Sequence, residues 1–148
     1  MKLRWAALVT VLTLSVMVTP RHAAGQGTPG GGRGAAAVLG QNYPNPFNPT
    51  TTIPFGVGDE HCSDRSRVYK VTLRIYNVLA QLVAIPIMQG TSGNAGQRVE
   101  GVALTCGQYT AYWDGNYMQS GREVASGVYL YRLEVDGKIW VRKMIVMK

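Results

Sequence analysis

The side chains best suited to chemistry lie in one polar run, GDEHCSDRSR, where His61 and Cys62 stand among Asp59, Glu60, Ser63 and Asp64. A cysteine nucleophile needs a histidine within hydrogen-bond reach and a third group to orient that histidine. Neighbouring side chains in an extended loop point apart and no orienting group is identifiable, so the run reads as a solvated insertion between strands. A zinc site fares no better. Neither Cys62 nor Cys106 has a CxxC partner, and His61 beside Cys62 cannot supply four tetrahedral ligands. Residues 114–121, DGNYMQSG, superficially resemble a calcium loop. They place Met118 and Gln119 where such a loop needs an oxygen ligand and a glycine, which leaves a turn. Asn48-Pro49-Thr50 is excluded as a glycosylation acceptor by its central proline. Aromatics such as Tyr109, Tyr112, Trp113 and Tyr117 could stack on a sugar, but nothing arranges them in a planar exposed row, and strands favour them for packing anyway. The expectation is a protein that is not an enzyme, with no catalytic residue, metal, cofactor or small-molecule substrate.

The ends of the chain bound the rest. Lys2 and Arg4 precede an apolar run over residues 6–18, then Pro20 and the small residues Ala23-Ala24-Gly25. That order predicts a secretory signal peptide, residues 1–25, cleaved after Gly25; the alternative is an uncleaved anchor. The run is too short to span a bilayer as a helix. Removing it takes away Lys2, Arg4 and Arg21, so the formal charge falls from +7 to +4. What remains is scattered apart from the small group Arg142, Lys143 and Lys148, which is not the stripe that nucleic-acid binding requires. Export brings an oxidising compartment, where an even cysteine count permits a Cys62–Cys106 disulfide and leaves free thiols as the alternative.

Residues 26–38, QGTPGGGRGAAAV, are expected to form a flexible linker because they offer too little apolar surface to offset ordering entropy. From residue 39 onward short β-rich runs alternate with Gly, Pro, Asn and Asp, and no stretch carries a 3.6-residue period. Residues 51–57 read as a first strand, and Pro54 within them suggests a sheet edge. Residues 68–77 alternate strictly, with Val71, Leu73 and Ile75 on one face. Residues 78–81 would turn the chain into a second apolar run, 82–88, where Pro86 implies an edge or a bulge. Residues 108–113 end at the turn dipeptide Asp114-Gly115. Residues 128–135 and 138–147 flank Asp136-Gly137 and read as a terminal hairpin. About six or seven strands at this spacing predict an all-β, antiparallel sandwich over residues 39–148.

The lead-in QNYPNPFNPTTTIPF sets four prolines among asparagines and threonines. Each proline fixes φ and biases the preceding residue away from helix, while Tyr43 and Phe47 are expected to pin the segment to the sandwich. That lead-in from Leu39 to Ile53 is the first of four blocks. The others are VTLRIYN with Gln81-Leu82-Val83, then Trp113-Asp114-Gly115, then SGVYLYRL from Ser126 running to Lys143 and Lys148. In this order they resemble the type A carboxy-terminal sorting domain of type IX secretion substrates. That domain is similar in turn to the immunoglobulin-like domain of flagellar hook-capping proteins.

The resemblance implies an immunoglobulin-like sandwich carried to the periplasm of a Gram-negative cell by its signal peptide and there read by the type IX translocon. In that family a surface sortase commonly removes the domain, and the resemblance implies a protein secreted or displayed at the cell surface. The candidate signal residues are Pro44, Asn45, Pro46, Gly127, Tyr129, Lys143 and Lys148. Two departures stand out: Ala80 occupies a hairpin position that is usually glycine, and the segments around His61 and 90–107 are long. Sorting domains normally follow a cargo domain, whereas here only residues 26–38 separate the domain from the signal. The chain is then either part of a longer protein or itself the exported product. The alternative function is a small structural or adhesive scaffold of the hook-cap type.

Overall fold

The computed structural model describes residues 36–90 and 93–148. The expected signal peptide and most of the expected linker lie outside those residues. Among the described residues nine strands occur: β1 (Ala37–Leu39), β2 (Thr51–Val57), β3 (Val68–Tyr76), β4 (Leu82–Ala84), β5 (Ile87–Gln89), β6 (Val102–Thr105), β7 (Gly107–Trp113), β8 (Gly127–Val135) and β9 (Lys138–Val146). They form two antiparallel sheets, β1-β2-β7-β5 and β4-β3-β8-β9, with β6 also paired to β3. The fold is therefore the expected all-β sandwich, with nine strands where six or seven were expected. The extra ones are β1 and β6, together with the division of residues 82–88 into β4 and β5.

Alternation in the strands produces the core. Ile53, Phe55, Val71, Leu73, Ile75, Tyr131, Leu133 and Val135 are at most 1% exposed, and each sits one residue from a more open neighbour or a turn. Full burial of such side chains is worth about 1.5–3 kcal/mol each, which is what draws the two inner faces together. Asp136 and Gly137 both take positive φ, 47° and 82°, as the two-residue turn between β8 and β9 requires.

Three sequence expectations change. Residues 37 and 38, assigned to the linker, pair with Val57 and Gly56 as the start of β1. Residues 82–88 are not one strand: β4 belongs to one sheet and β5 to the other, and Pro86 lies at the crossing. A missing N–H costs least where the chain is leaving a ladder.

The third change concerns Pro54, which is not on an edge, because β2 lies between β1 and β7. Its carbonyl accepts from the Gly40 N–H at 2.9 Å, but Pro54 has no N–H to return. The Gly40 carbonyl accepts instead from Tyr131 Oη at 2.7 Å. A side chain from the opposite sheet thus replaces one backbone donor, and this permits proline inside the sheet.

Cys62 and Cys106 are bonded, with their Cα atoms 5.5 Å apart across 44 residues of chain. Cys62 lies on the crossover from β2 to β3 and Cys106 on the one from β6 to β7. The bond therefore ties two of the inter-sheet crossovers together at one end of the sandwich.

Candidate functional site

The opposite end is built from the lead-in segment and the last strand. Residues 41–47 run as a strap along the outer edge of β9, with Phe47 bridged to Val146 in parallel. The Phe47 N–H donates to the Ile145 carbonyl and the Met147 N–H to the Phe47 carbonyl, both at 3.0 Å. The Ile145 N–H donates to Asn45 Oδ1 at 2.9 Å, and Gln41 Nε2 donates to the Lys143 carbonyl at 3.2 Å. An edge strand with unmet backbone groups is a template for unwanted pairing. Here the strap occupies those groups, and at the Ile145 N–H it does so with an asparagine side chain in place of a backbone carbonyl.

Inside the strap a polar knot holds its shape. Asn42, 2% exposed, donates from Nδ2 to Thr51 Oγ1 at 3.0 Å and to the Pro44 carbonyl at 3.1 Å. Thr51 Oγ1 donates to the same carbonyl at 3.0 Å. The Asn42 N–H donates to Tyr131 Oη at 3.1 Å, so that one phenol accepts from the strap and donates to Gly40. Buried polar atoms are tolerable only when paired in this way.

Below the strap runs an aromatic row. The Phe47 ring meets Trp113 edge-on at 5.4 Å, and Trp113 meets Tyr129 edge-on at 5.9 Å. Trp113 Nε1 donates to the Asn116 carbonyl, and Tyr129 Oη to the Ala125 carbonyl, both at 2.9 Å. Gly115 follows Trp113 with φ 74°, and a Cβ there would overlap the Pro49 carbonyl oxygen. Only glycine lets the Trp113-Asp114-Gly115 turn approach the lead-in at Pro49 this closely.

Each candidate signal residue can now be located. Pro44, Asn45 and Pro46 are exposed on the strap. Gly127 opens β8 opposite Val146, and Tyr129 lies opposite Met144. Lys143 is exposed on β9, while Lys148 donates from Nζ to Glu123 at 2.7 Å and from its N–H to Ser126 Oγ at 3.1 Å. Tyr43, expected as an anchor, is 57% exposed; its backbone pairs with Thr52, and Phe47 alone supplies the buried ring. The sequence reading missed Gln41, Asn42, Thr51 and Tyr131 as parts of this end. A signal did exist for Tyr131, since an inward tyrosine in an alternating strand needs a partner for its hydroxyl.

Ala80 adopts φ 59°, the left-handed geometry for which glycine is the usual residue. Asn77 Oδ1 accepts from the Leu79 and Gln81 N–H groups at 3.0 and 2.9 Å and holds the turn without it. His61 is exposed at the disulfide end. Among the described residues no group of three His, Cys, Asp or Glu could hold a metal, and no helix is long and apolar enough to cross a membrane.

Replacing Tyr131 by phenylalanine is expected to cost about 1–3 kcal/mol, because it strands the buried Asn42 N–H and the part-buried Gly40 carbonyl while leaving the ring in place. Burial holds the Tyr131 phenol above its ordinary 10.0, outweighing the opposing Asn42 hydrogen bond and Arg142 charge. The folded state then keeps a proton that the unfolded chain releases, so this stability is intact below pH 10 and is lost as pH rises past it. Denaturant midpoints measured against pH should fall less steeply on the alkaline side in the Tyr131→Phe variant. Comparison of the chain with family models, with curated proteins and with solved structures finds no match.

Proposed function

We propose that this chain is a non-catalytic sorting-type domain, exported to the periplasm and read there by the type IX machinery for secretion or surface display. The observation that supports the reading is convergence. Three of the four resemblance blocks, far apart in sequence, meet at one end: strap, Trp113 turn and terminal hairpin contact one another through Phe47, Trp113, Tyr129 and Val146. A folded surface assembled from both ends of the domain suits a receptor that must recognise finished structure.

The test is to insert a reporter domain into the full chain after Gly34 and express it in a cell that has the type IX machinery. The reporter is expected outside the cell; retention in the periplasm overturns the reading. A second reading, a structural or adhesive scaffold, is favoured by the disulfide-tied crossovers and the covered β9 edge. Intact mass of the extracellular material separates the two. Sorting predicts a processed chain, and a scaffold predicts the whole mature one.

A further inference from the structure

In a two-sheet sandwich the outward positions of a strand face water and are ordinarily polar. On the terminal hairpin they are largely apolar. Val128 and Leu130 on β8 and Ile139, Val141 and Ile145 on β9 point away from the core and are between 37% and 53% exposed. Register makes them one surface: Val128 lies opposite Ile145, Leu130 opposite Lys143, Arg132 opposite Val141, and Glu134 opposite Ile139. The hairpin as a whole is basic, but its outward rows carry only Arg132, Glu134 and Lys143, since Lys138 and Arg142 fall in the inward rows opposite Val135 and Tyr131 and Lys148 pairs with Glu123. Residues 127–148 hold five Lys and Arg against two Asp and Glu, while residues 36–126 hold six of each, so the whole net positive charge of residues 36–148 lies on this hairpin and its tail. Among the described residues Lys143, at the middle of the apolar rows, has no carboxylate partner.

We infer that this face docks a protein partner whose own surface is apolar and carries a carboxylate placed to meet Lys143. Other occupants fit less well. A second copy stacked on the same face offers Lys143 only Glu134, which is already paired with Arg132. A bilayer would have to draw Lys143 and the Arg132–Glu134 pair, 3.0 Å apart, toward hydrocarbon, because these groups sit among the apolar residues and not around them. The inference deepens the sorting reading and rests on it: the partner is the component of the export machinery that holds the folded domain.

The experiment uses the full chain with the reporter after Gly34, in four forms: unchanged, Ile139→Thr with Val141→Thr, Lys143→Glu, and Val68→Thr as an exposed apolar control on β3. Threonine keeps strand propensity, so the fold should survive; Lys143→Gln repeats the charge test without inversion. The expected result is export of the unchanged chain and the Val68→Thr control, with export of the face variants reduced at least about tenfold, a change of one decade in binding. Thermal unfolding should stay close to that of the unchanged chain in every form. Equal export of all forms overturns the docking face and leaves sorting intact. Retention of the unchanged chain overturns the sorting reading, and this inference falls with it. Flotation of the unchanged chain on phosphatidylglycerol vesicles, lost in the face variants, would replace the protein partner by a lipid surface.

Discussion

Replacing Phe47 by alanine should lower the unfolding free energy by about 3–5 kcal/mol, the usual cost of emptying a buried phenylalanine site. For a domain of this size that is a fall in Tm on the order of 15 °C. The ring is 2% exposed and packs edge-on against Trp113, which is 1% exposed, so little can collapse into the space it leaves. Its backbone matters as much, because the Phe47 N–H and carbonyl both bond β9. Loosening the ring therefore frees the edge of the terminal strand as well. Pro46→Ala, one residue away but exposed, should change stability by no more than about 0.5 kcal/mol. Guanidinium melts of the two variants decide the matter. A Phe47→Ala cost below that of Pro46→Ala would show that the strap is held by its hydrogen bonds and not by the ring.

Removing the disulfide is the second large effect. In the chain-entropy account, closing a loop of 44 residues is worth about 4 kcal/mol at room temperature. The ion pairs near that end cannot make up the loss. Arg67–Asp136 spans 3.4 Å at the surface, and exposed pairs contribute between about 0 and 1 kcal/mol. The double variant Cys62→Ala, Cys106→Ala should melt well below the parent and be indifferent to reductant, whereas the parent should fall to a similar midpoint only when reduced. A parent whose melt ignores reductant under denaturing conditions would contradict the bond. Intact mass without reduction checks the same point directly.

Much of the fold is legible in neighbouring residues. Val71, Leu73 and Ile75 announce β3 by their spacing, as Tyr129, Tyr131, Leu133 and Val135 announce β8, because successive side chains of a strand face opposite ways. Asp136-Gly137 announces the turn, because two positive φ values favour that dipeptide. The short strands were missed for the same reason. Ala37–Leu39 and Val102–Thr105 are too brief to show a period, and they are strands only because β2 and β3 offer ladders to join.

The sequence by itself determined the fold class, the main strands and the terminal hairpin, since these depend on residues within a few positions of one another. Tertiary structure alone decided the rest. Asn45 meets Ile145 across 100 residues, Tyr131 meets the Gly40 carbonyl beside the proline of β2 across 91, and Cys62 finds Cys106 across 44. Local propensity is a property of short spans, whereas satisfying a buried carbonyl or covering a strand edge depends on which distant atoms packing brings within 3 Å or so. That is why the strap could be read as rigid from its prolines, while its seat along β9 could not.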